Sequence, residues 1–171
     1  MRPPPREILR SAELLIVYHS RTGGSRQMAE AAFEAAREEC DVRLLRAEEA
    51  GPEDLLRAQG YLFCAPENLA ALSGAMKEFF DLCYYPVLGQ IEGRPYAQMV
   101  CAGSDGANAA RQTARIAQGW RLREVQEALI VCTHAQSPEA ILADKTVPEA
   151  DLERCRELGA ALAAGLAMGV F

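Results

Sequence analysis

Hydroxyl and glycine residues are concentrated in one short loop near the start of the chain. The loop lies between an apolar run at residues 14–18 and a helical pattern that begins at Ser25. Its residues are Ser20, Arg21, Thr22, Gly23, Gly24 and Ser25. Glycines let several peptide N–H groups converge, hydroxyls add donors, and the start of a helix adds free N–H groups and the positive end of its dipole. Together these donors suit a phosphate monoester.

Other loops that handle phosphate are excluded by residue type. A nucleoside-triphosphate loop needs Gly-Lys-Ser/Thr after four spacer residues, and the loop at 20–25 has no lysine. The dinucleotide fingerprint Gly-x-Gly-x-x-Gly is absent as well. A low-molecular-weight phosphatase would place a nucleophilic cysteine in the loop, whereas the nearest cysteine is Cys40. The remaining alternative is a tight turn that binds no ligand.

The loop resembles the phosphate-binding signature of flavodoxin-like proteins, Ser/Thr-x-Thr-Gly-x-Ser/Thr. Ser20, Thr22, Gly23 and Ser25 occupy the matching positions. The resemblance implies that the ligand is flavin mononucleotide (FMN). Its terminal phosphate is then expected in this loop, which follows the first strand and opens the first helix.

Two later loops extend the resemblance to about residue 131. The first contains Pro66, Glu67, Asn68 and Leu69 and ends in Ser73, Gly74, Met76 and Lys77. It resembles the flavin-binding loop of flavodoxin-family reductases, whose chain likewise ends in Ser-Gly-x-Met-Lys. The second contains Gly103, Ser104, Asp105 and Gly106 and resembles the loop that packs against the far edge of the flavin ring. The resemblance therefore implies cofactor-binding residues on three loops around one flavin.

Neither later loop carries an aromatic residue, at positions 65–73 or at positions 103–109. Flavodoxins that carry electrons usually sandwich the flavin ring between aromatic side chains, so a bare ring face is expected here. Nicotinamide or a flat quinone could stack on that face. Tyr84 or Tyr85 of a partner subunit could also cover it. Ordinary packing of these tyrosines at the end of their helix is the alternative.

Three side chains close to the loops have two interpretations each. Asn68 could hydrogen-bond the edge of the ring, and Glu67 has either a similar role or that of a solvated loop charge. His19, which begins the phosphate loop, could orient a hydroxyl, although packing on the first strand is favoured. No residue is assigned as a catalytic acid or base, because hydride transfer between nicotinamide and flavin depends on geometry.

Alternating strand and helix patterns position the loops. Apolar or alternating runs predict strands at residues 14–18, 40–46, 61–64, 96–102 and 128–132. Helical patterns occupy 25–39, 52–58, a segment that Ser73 is expected to cap, a segment ending near Trp120, and 149–168. This order predicts a doubly wound α/β fold with helices on both faces. Its flavodoxin-like version has a five-stranded parallel sheet in the order 2-1-3-4-5, where the loops after strands one, three and four converge.

The length of 171 residues and the net charge of −6 restrict the class of protein. We expect one FMN-binding domain at residues 13–171, preceded by a flexible tail at 1–12. An acidic chain offers no basic face to nucleic acid, and no apolar run reaches the ~18 residues that span a bilayer. Six cysteines without a Cys-x-x-Cys pair predict reduced thiols and no metal site. The start of the chain lacks a signal-peptide pattern, so a cytoplasmic location is expected.

The favoured function is an FMN-dependent oxidoreductase that passes electrons from NAD(P)H to a quinone or a similar small acceptor. An electron carrier of the flavodoxin type, which works with a protein redox partner, is the alternative. A non-catalytic flavin-binding protein is a third possibility. We also expect a homo-oligomer that completes the flavin pocket, because the Phe79-Phe80 and Tyr84-Tyr85 pairs lie on or just after the helix beside it.

Overall fold

The computed structural model describes residues 11–171, so the expected tail at 1–12 lies outside the described residues except for its last two positions. The strands in this part of the chain are β1 (Glu13–Tyr18), β2 (Asp41–Arg46), β3 (Gly60–Asn68), β4 (Ala71–Leu72), β5 (Pro95–Ala102), β6 (Arg123–Glu124) and β7 (Leu129–Cys132). The helices are α1 (Gly24–Ala36), α2 (Pro52–Arg57), α3 (Gly74–Val87), α4 (Ala107–Gly119), α5 (Pro138–Leu142) and α6 (Glu149–Met168). The bounds of α6 coincide with the predicted helix at 149–168.

The main sheet is parallel, with β2, β1, β3 and β5 side by side from one edge. Two segments share the next position: β6 pairs with the first residues of β5, and β7 pairs with its last residues. The predicted order 2-1-3-4-5 is therefore confirmed, with β5 as the fourth strand and β7 as the fifth. The sequence patterns do not predict β6, or β4, which pairs antiparallel with the end of β3.

Helices cover both faces of this sheet, as expected for a doubly wound fold. Residues 14–17 of β1 are fully buried, because alternate side chains enter two core layers, one with α1 and α6 and the other with α2, α3 and α4. The edge strand β2 is only half-buried, as its alternation of apolar and charged residues predicts. Small residues bring α1 and α6 together, since a Cβ on Gly159 would collide with the carbonyl oxygen of Ala32.

Strand β3 is longer than the apolar run at 61–64 predicts. Its pairing with β5 continues to Pro66, and its pairing with β4 continues to Asn68. The extension carries the chain past the carboxyl edge of the sheet as a hairpin, beside the loop that follows β1. Helix α5 is a second departure from the prediction. Among the helices formed by residues 11–171, none combines the length and the apolar character needed to cross a membrane.

Candidate cofactor site

The loops after β1, β3 and β5 meet at the carboxyl edge of the sheet, and side chains join them. Nδ1 of His19, at the start of the first loop, lies 2.9 Å from Oγ of Ser73, at the end of the second. Oε1 of Glu67 accepts a hydrogen bond of 3.0 Å from the backbone N–H of Gly106 in the third. The convergence that the strand order predicts is thus present, and specific hydrogen bonds maintain it.

The phosphate loop turns sharply into α1 at Gly23 and Gly24. Gly23 is the N-cap residue and has a φ of +92°, a left-handed conformation that favours glycine. Its N–H donates to Oγ of Ser20 over 3.1 Å, so this hydroxyl helps to shape the turn. Gly24 is needed for a different reason, because a Cβ there would lie 2.5 Å from Sγ of Cys101 on β5. The loop can therefore rest directly on the sheet.

Ser25, in the first turn of α1, has an unpaired hydroxyl. The residue is 2% exposed, and its Oγ has no hydrogen-bond partner in the described structure. A buried hydroxyl without a partner costs stability, and native proteins rarely retain one without a reason. At the positive end of a helix dipole, beside free N–H groups, a phosphate oxygen would satisfy it. The donors of this loop therefore fit the phosphate of FMN.

A cavity of about 80 Å³ connects the phosphate loop with the second loop. Its walls include the predicted residues Ser20, Arg21, Thr22, Gly24, Ser25, Pro66 and Asn68. Cys101, Ile141 and Leu142 complete the lining, and none of these three was predicted as a site residue. The cavity therefore extends from the start of α1 to the end of β3.

The second loop contains a tight hairpin whose two central residues are strained. Leu69 and Ala70 join β3 to β4 and have φ values of +51° and +62°. Such turns usually contain glycine or asparagine, because other side chains resist the left-handed region. The side chain of Leu69 is also wholly exposed. Strain and exposure of this kind are more common at functional sites than elsewhere on a fold.

The side chain of Glu67 is hydrogen-bonded to the start of α4. Its two carboxylate oxygens accept hydrogen bonds from the N–H groups of Gly106, at 3.0 Å, and Ala109, at 3.2 Å. The carboxylate thus caps the start of α4 and interacts favourably with its dipole. The carboxylate is therefore not a solvated loop charge, and a role for Glu67 beside the flavin ring stays a prediction. Asn68, in contrast, lines the cavity.

The third loop is held in place from both sides. Gly106 has a φ of +87°, and a Cβ at this position would lie 2.7 Å from Cγ2 of Ile130. Asp105 accepts a hydrogen bond of 3.2 Å from the N–H of Ala107 through Oδ1. The carbonyl oxygen of Gly103 accepts the N–H of His134 over 2.8 Å. Ser104 and Asp105 are exposed, and the turn lies outside the wall of the 80 Å³ cavity.

Ser73 has a different role from the one predicted for it. It is the N-cap residue of α3, but its side chain makes no capping hydrogen bond, and the fully buried hydroxyl pairs with His19 instead. His19 therefore does orient a hydroxyl, although one of the second loop. Burial lowers the pKa of His19, the charges of Arg21 and Arg46 act in the same direction, and Glu48 opposes them. A neutral imidazole thus connects the first two loops. Gly74 follows as the first residue of α3.

The segment around α5 forms part of the site, and the sequence patterns were not used to predict it. The N–H of Lys145 donates to the carbonyl oxygen of Thr22 over 2.8 Å. The side-chain amide of Gln27 donates to the carbonyl oxygen of Lys145 over 2.7 Å and accepts the N–H of Val147 over 3.0 Å. A signal was present, because Ser137 followed by Pro138 is typical of the start of a helix.

Three of the four aromatic residues in the two pairs on α3 pack within the chain. Phe79 and Phe80 are buried in the core, so neither can reach a partner subunit. Tyr84 stacks on Trp120 with ring centroids 5.7 Å apart and accepts the indole N–H through its backbone oxygen. Tyr84 therefore shows the ordinary packing at the end of its helix that was the alternative to a contact with a partner subunit. Only Tyr85, which is 79% exposed, is free to contact another chain.

All six cysteines are free thiols, and most of them are buried. Burial raises the pKa of Cys83 and of Cys101 to about 11 and that of Cys155 to about 12. Cys40 and Cys132 are only partly buried. Cys101 touches the site, yet its thiol serves as a small surface on which Gly24 rests.

Comparisons with known proteins agree with this architecture. The model of the NADPH-dependent FMN reductase family matches residues 50–136. A flavodoxin of Aquifex aeolicus is 39% identical over 94 residues, which are 54% of this chain and 49% of the flavodoxin. The match therefore spans about half the length of that relative.

Solved structures share the fold at lower sequence identity. A flavodoxin from the domain Archaea superposes with a TM-score of 0.72 and 17% identity, over 90% of this chain and 98% of that one. A flavodoxin described as WrbA-like, from Agrobacterium tumefaciens, has a TM-score of 0.66 and 22% identity, over 90% of this chain and 96% of its own. These similarities establish a flavodoxin-like fold.

Proposed function

Because this chain belongs to the NADPH-dependent FMN reductase family, we propose that it is an oxidoreductase that uses FMN to pass electrons from NAD(P)H to a quinone or a similar small acceptor. FMN is the cofactor that the family match implies. When bound, FMN supplies a ring that accepts hydride from reduced nicotinamide and returns it, with a proton from water, to the acceptor. The chain's own residues bind the cofactor and control what reaches it.

The unpaired hydroxyl of Ser25 is the observation that carries this proposal. It points to a ligand with hydrogen-bond acceptors at the start of α1, where Thr22 and the N–H groups of the loop add further donors. Hydrogen bonds to a charged phosphate contribute roughly 1.5–3 kcal/mol each, so several can hold the cofactor without a lysine. Donors grouped in this loop also explain how a chain with a net charge of −6 can bind a dianion.

The second and third loops would hold the ring. Asn68 can hydrogen-bond its polar edge, and the backbone groups of Glu67, Gly103 and Ser104 offer further donors and acceptors. Because these loops lack aromatic residues, one face of the ring would stay open to a flat substrate. Hydride transfer then depends on how closely the chain aligns the two rings, and no protein acid or base is required.

A homo-oligomer is part of the proposal, since a partner subunit could exclude water from the open face. Exposed Tyr85 is the aromatic residue of α3 that remains available for such a contact. Light scattering at the assay concentration, with Tyr85→Ala as the variant, tests this point. A monomer with full turnover would contradict it. Six free thiols also fit a reducing compartment, so we place the protein in the cytoplasm.

An electron carrier for a protein redox partner is the second candidate. The 39% identity to a flavodoxin and the acidic net charge favour it, because acidic surfaces can steer a basic partner. The absence of aromatic residues from both ring-binding loops favours the enzyme. A carrier would be reduced only through a protein reductase.

Two measurements separate these functions. An absorbance spectrum of freshly purified protein should show bound flavin, and heat release followed by chromatography should identify it as FMN. Steady-state oxidation of NADPH and NADH is then followed with and without a soluble quinone. Turnover that requires both the nicotinamide and the quinone supports the enzyme. Negligible turnover of flavin-loaded protein would instead support the carrier.

A further inference from the structure

A second and larger cavity lies on the other side of the phosphate loop. It measures about 360 Å³ and opens at the carboxyl ends of β1 and β2, where Tyr18 and Arg46 are paired neighbours. Arg21, Arg26 and Lys145 also line it, and Asp144 is the one acidic residue in its wall. Four cations therefore surround one cavity in a chain whose net charge is −6.

Within the described structure, Arg26 and Arg46 pair only weakly with carboxylates. The ammonium of Lys145 donates to the backbone oxygens of Ile141 and Ala143, which leave its charge in place. Arg26 approaches Glu30 at 3.8 Å and Arg46 approaches Glu48 at 3.8 Å, distances too long for good hydrogen bonds. Exposed ion pairs of this kind contribute little to stability. Their contribution to the fold therefore does not explain why the positive charges are grouped here. An anionic ligand would explain the grouping.

We propose that this cavity binds the 2′-phosphoadenosine end of NADPH, an assignment that rests on the function proposed above. Guanidinium groups bind phosphate through paired hydrogen bonds, and Arg26 and Arg46 both line the cavity. The ring of Tyr18 offers a flat surface for adenine or ribose. A volume of about 360 Å³ falls in the range of small-molecule sites and far exceeds what a bare phosphate needs.

This pocket is separate from the FMN phosphate site but shares one loop with it. Gly24 and unpaired Ser25 line the 80 Å³ cavity and are not part of the larger one. Ser20, Arg21 and Thr22 line both, so the two ligands would lie on opposite sides of the phosphate loop. A dinucleotide with its nicotinamide at the flavin ring would cross this loop to reach the cavity. NADH lacks the 2′-phosphate and would not benefit from the basic wall.

Calorimetric titration of the FMN-loaded protein with 2′,5′-ADP, compared with 5′-AMP, tests the pocket directly. We expect 2′,5′-ADP to bind more tightly than 5′-AMP. Arg26→Gln and Arg46→Gln should each weaken 2′,5′-ADP by at least about tenfold, because a charge-assisted hydrogen bond to phosphate is lost. Arg37→Gln is the matched control: it removes a cation from the end of the same helix, and its side chain is 53% exposed, compared with 54% for Arg26.

Kinetics with both nicotinamides separate this inference from the proposed function. In Arg26→Gln and Arg46→Gln, kcat/KM should fall at least about tenfold for NADPH and stay unchanged for NADH. Equal affinity for the two nucleotides, or variants that behave like Arg37→Gln, would overturn the pocket while the oxidoreductase function stands. Loss of FMN from either variant would also overturn it. Tight 2′,5′-ADP binding that depends on both arginines, in a protein without NADPH turnover, would support the pocket and contradict the function.

Discussion

The hydroxyl of Ser25 gives the cofactor site its most direct test at the scale of single residues. Ser25→Ala removes a buried donor that has no partner in the fold, so the free energy of unfolding of the apoprotein should stay the same or rise slightly. FMN affinity should fall at least about tenfold, since a bond worth roughly 1.5–3 kcal/mol is lost. Quenching of flavin fluorescence measures both FMN and riboflavin binding.

Riboflavin is the control in this experiment because it lacks the phosphate. Its affinity should change little in Ser25→Ala, and likewise in Thr22→Val, which removes a second hydroxyl of the loop. If FMN and riboflavin lost affinity equally in both variants, the loop would not be the phosphate site.

His19 predicts how stability depends on pH. Burial lowers its pKa in the folded state below the usual value of 6.5, so the unfolded chain takes up the proton first as pH falls. The folded state should therefore lose stability as pH falls from about 6.5 through the lowered pKa. His19→Asn can keep a hydrogen bond to Ser73 and should remove this part of the pH dependence. Thermal unfolding between pH 8 and pH 5 measures the effect.

The matched control for His19 is His134→Asn. His134 is exposed and has a φ of +58°, a conformation that asparagine tolerates well. This variant should retain the wild-type dependence of stability on pH. If the stability of His19→Asn also depended on pH as that of the wild type does, His19 would not be the group responsible for this dependence.

At the scale of elements, the hairpin between β3 and β4 stores strain that can be removed. Replacing Leu69 by Asn and Ala70 by Gly supplies the residues that such a turn favours, and the exposed leucine loses no packing. We expect the free energy of unfolding to rise by about 1 kcal/mol. Urea denaturation of the apoprotein measures the change. Leu69→Ala, which keeps the strain, should be nearly neutral, and an equal response of both variants would contradict this account.

Gln27 makes the side-chain hydrogen bonds that join the segment from α5 to Val147 to the start of α1. Gln27→Ala removes the hydrogen bonds to Lys145 and Val147, so their backbone amides should exchange hydrogen at least about tenfold faster. Because Ile141 and Leu142 line the cofactor cavity, FMN should also dissociate faster. Gln118→Ala, an exposed residue on α4, is the control. Unchanged exchange at Lys145 would show that other contacts hold the segment.

The sequence predicts most elements because their signals are local. Helix α6 begins and ends as its apolar periodicity indicates, and the glycine loop at 20–25 is recognisable by composition alone. The carboxylate of Glu67, in contrast, caps a helix that begins 40 positions later, and no nearby residue indicates this role. The extension of β3 likewise depends on β4 and β5, which are remote from the apolar run that predicts it. Pairing between distant segments decides such details.

At the scale of the whole molecule, the cysteines should be dispensable for the chemistry. Burial raises the pKa of Cys83 to about 11 and that of Cys155 to about 12, so almost no thiolate is present at neutral pH. Serine at Cys40, Cys83 or Cys155 should leave flavin content and turnover intact. The two buried positions should lose about 1–3 kcal/mol of stability, because a hydroxyl is buried there. Loss of activity on thiol alkylation before flavin is released would contradict this prediction.

The contact between Glu67 and the start of α4 also affects how this sequence can diverge. The carboxylate requires the backbone conformation that Gly106 provides, and the turn at Gly106 is stabilised by that carboxylate. A substitution at either position removes the benefit of the other, so two successive single changes would pass through a less stable intermediate. Among descendants of this chain, the acid and the glycine should therefore be inherited together.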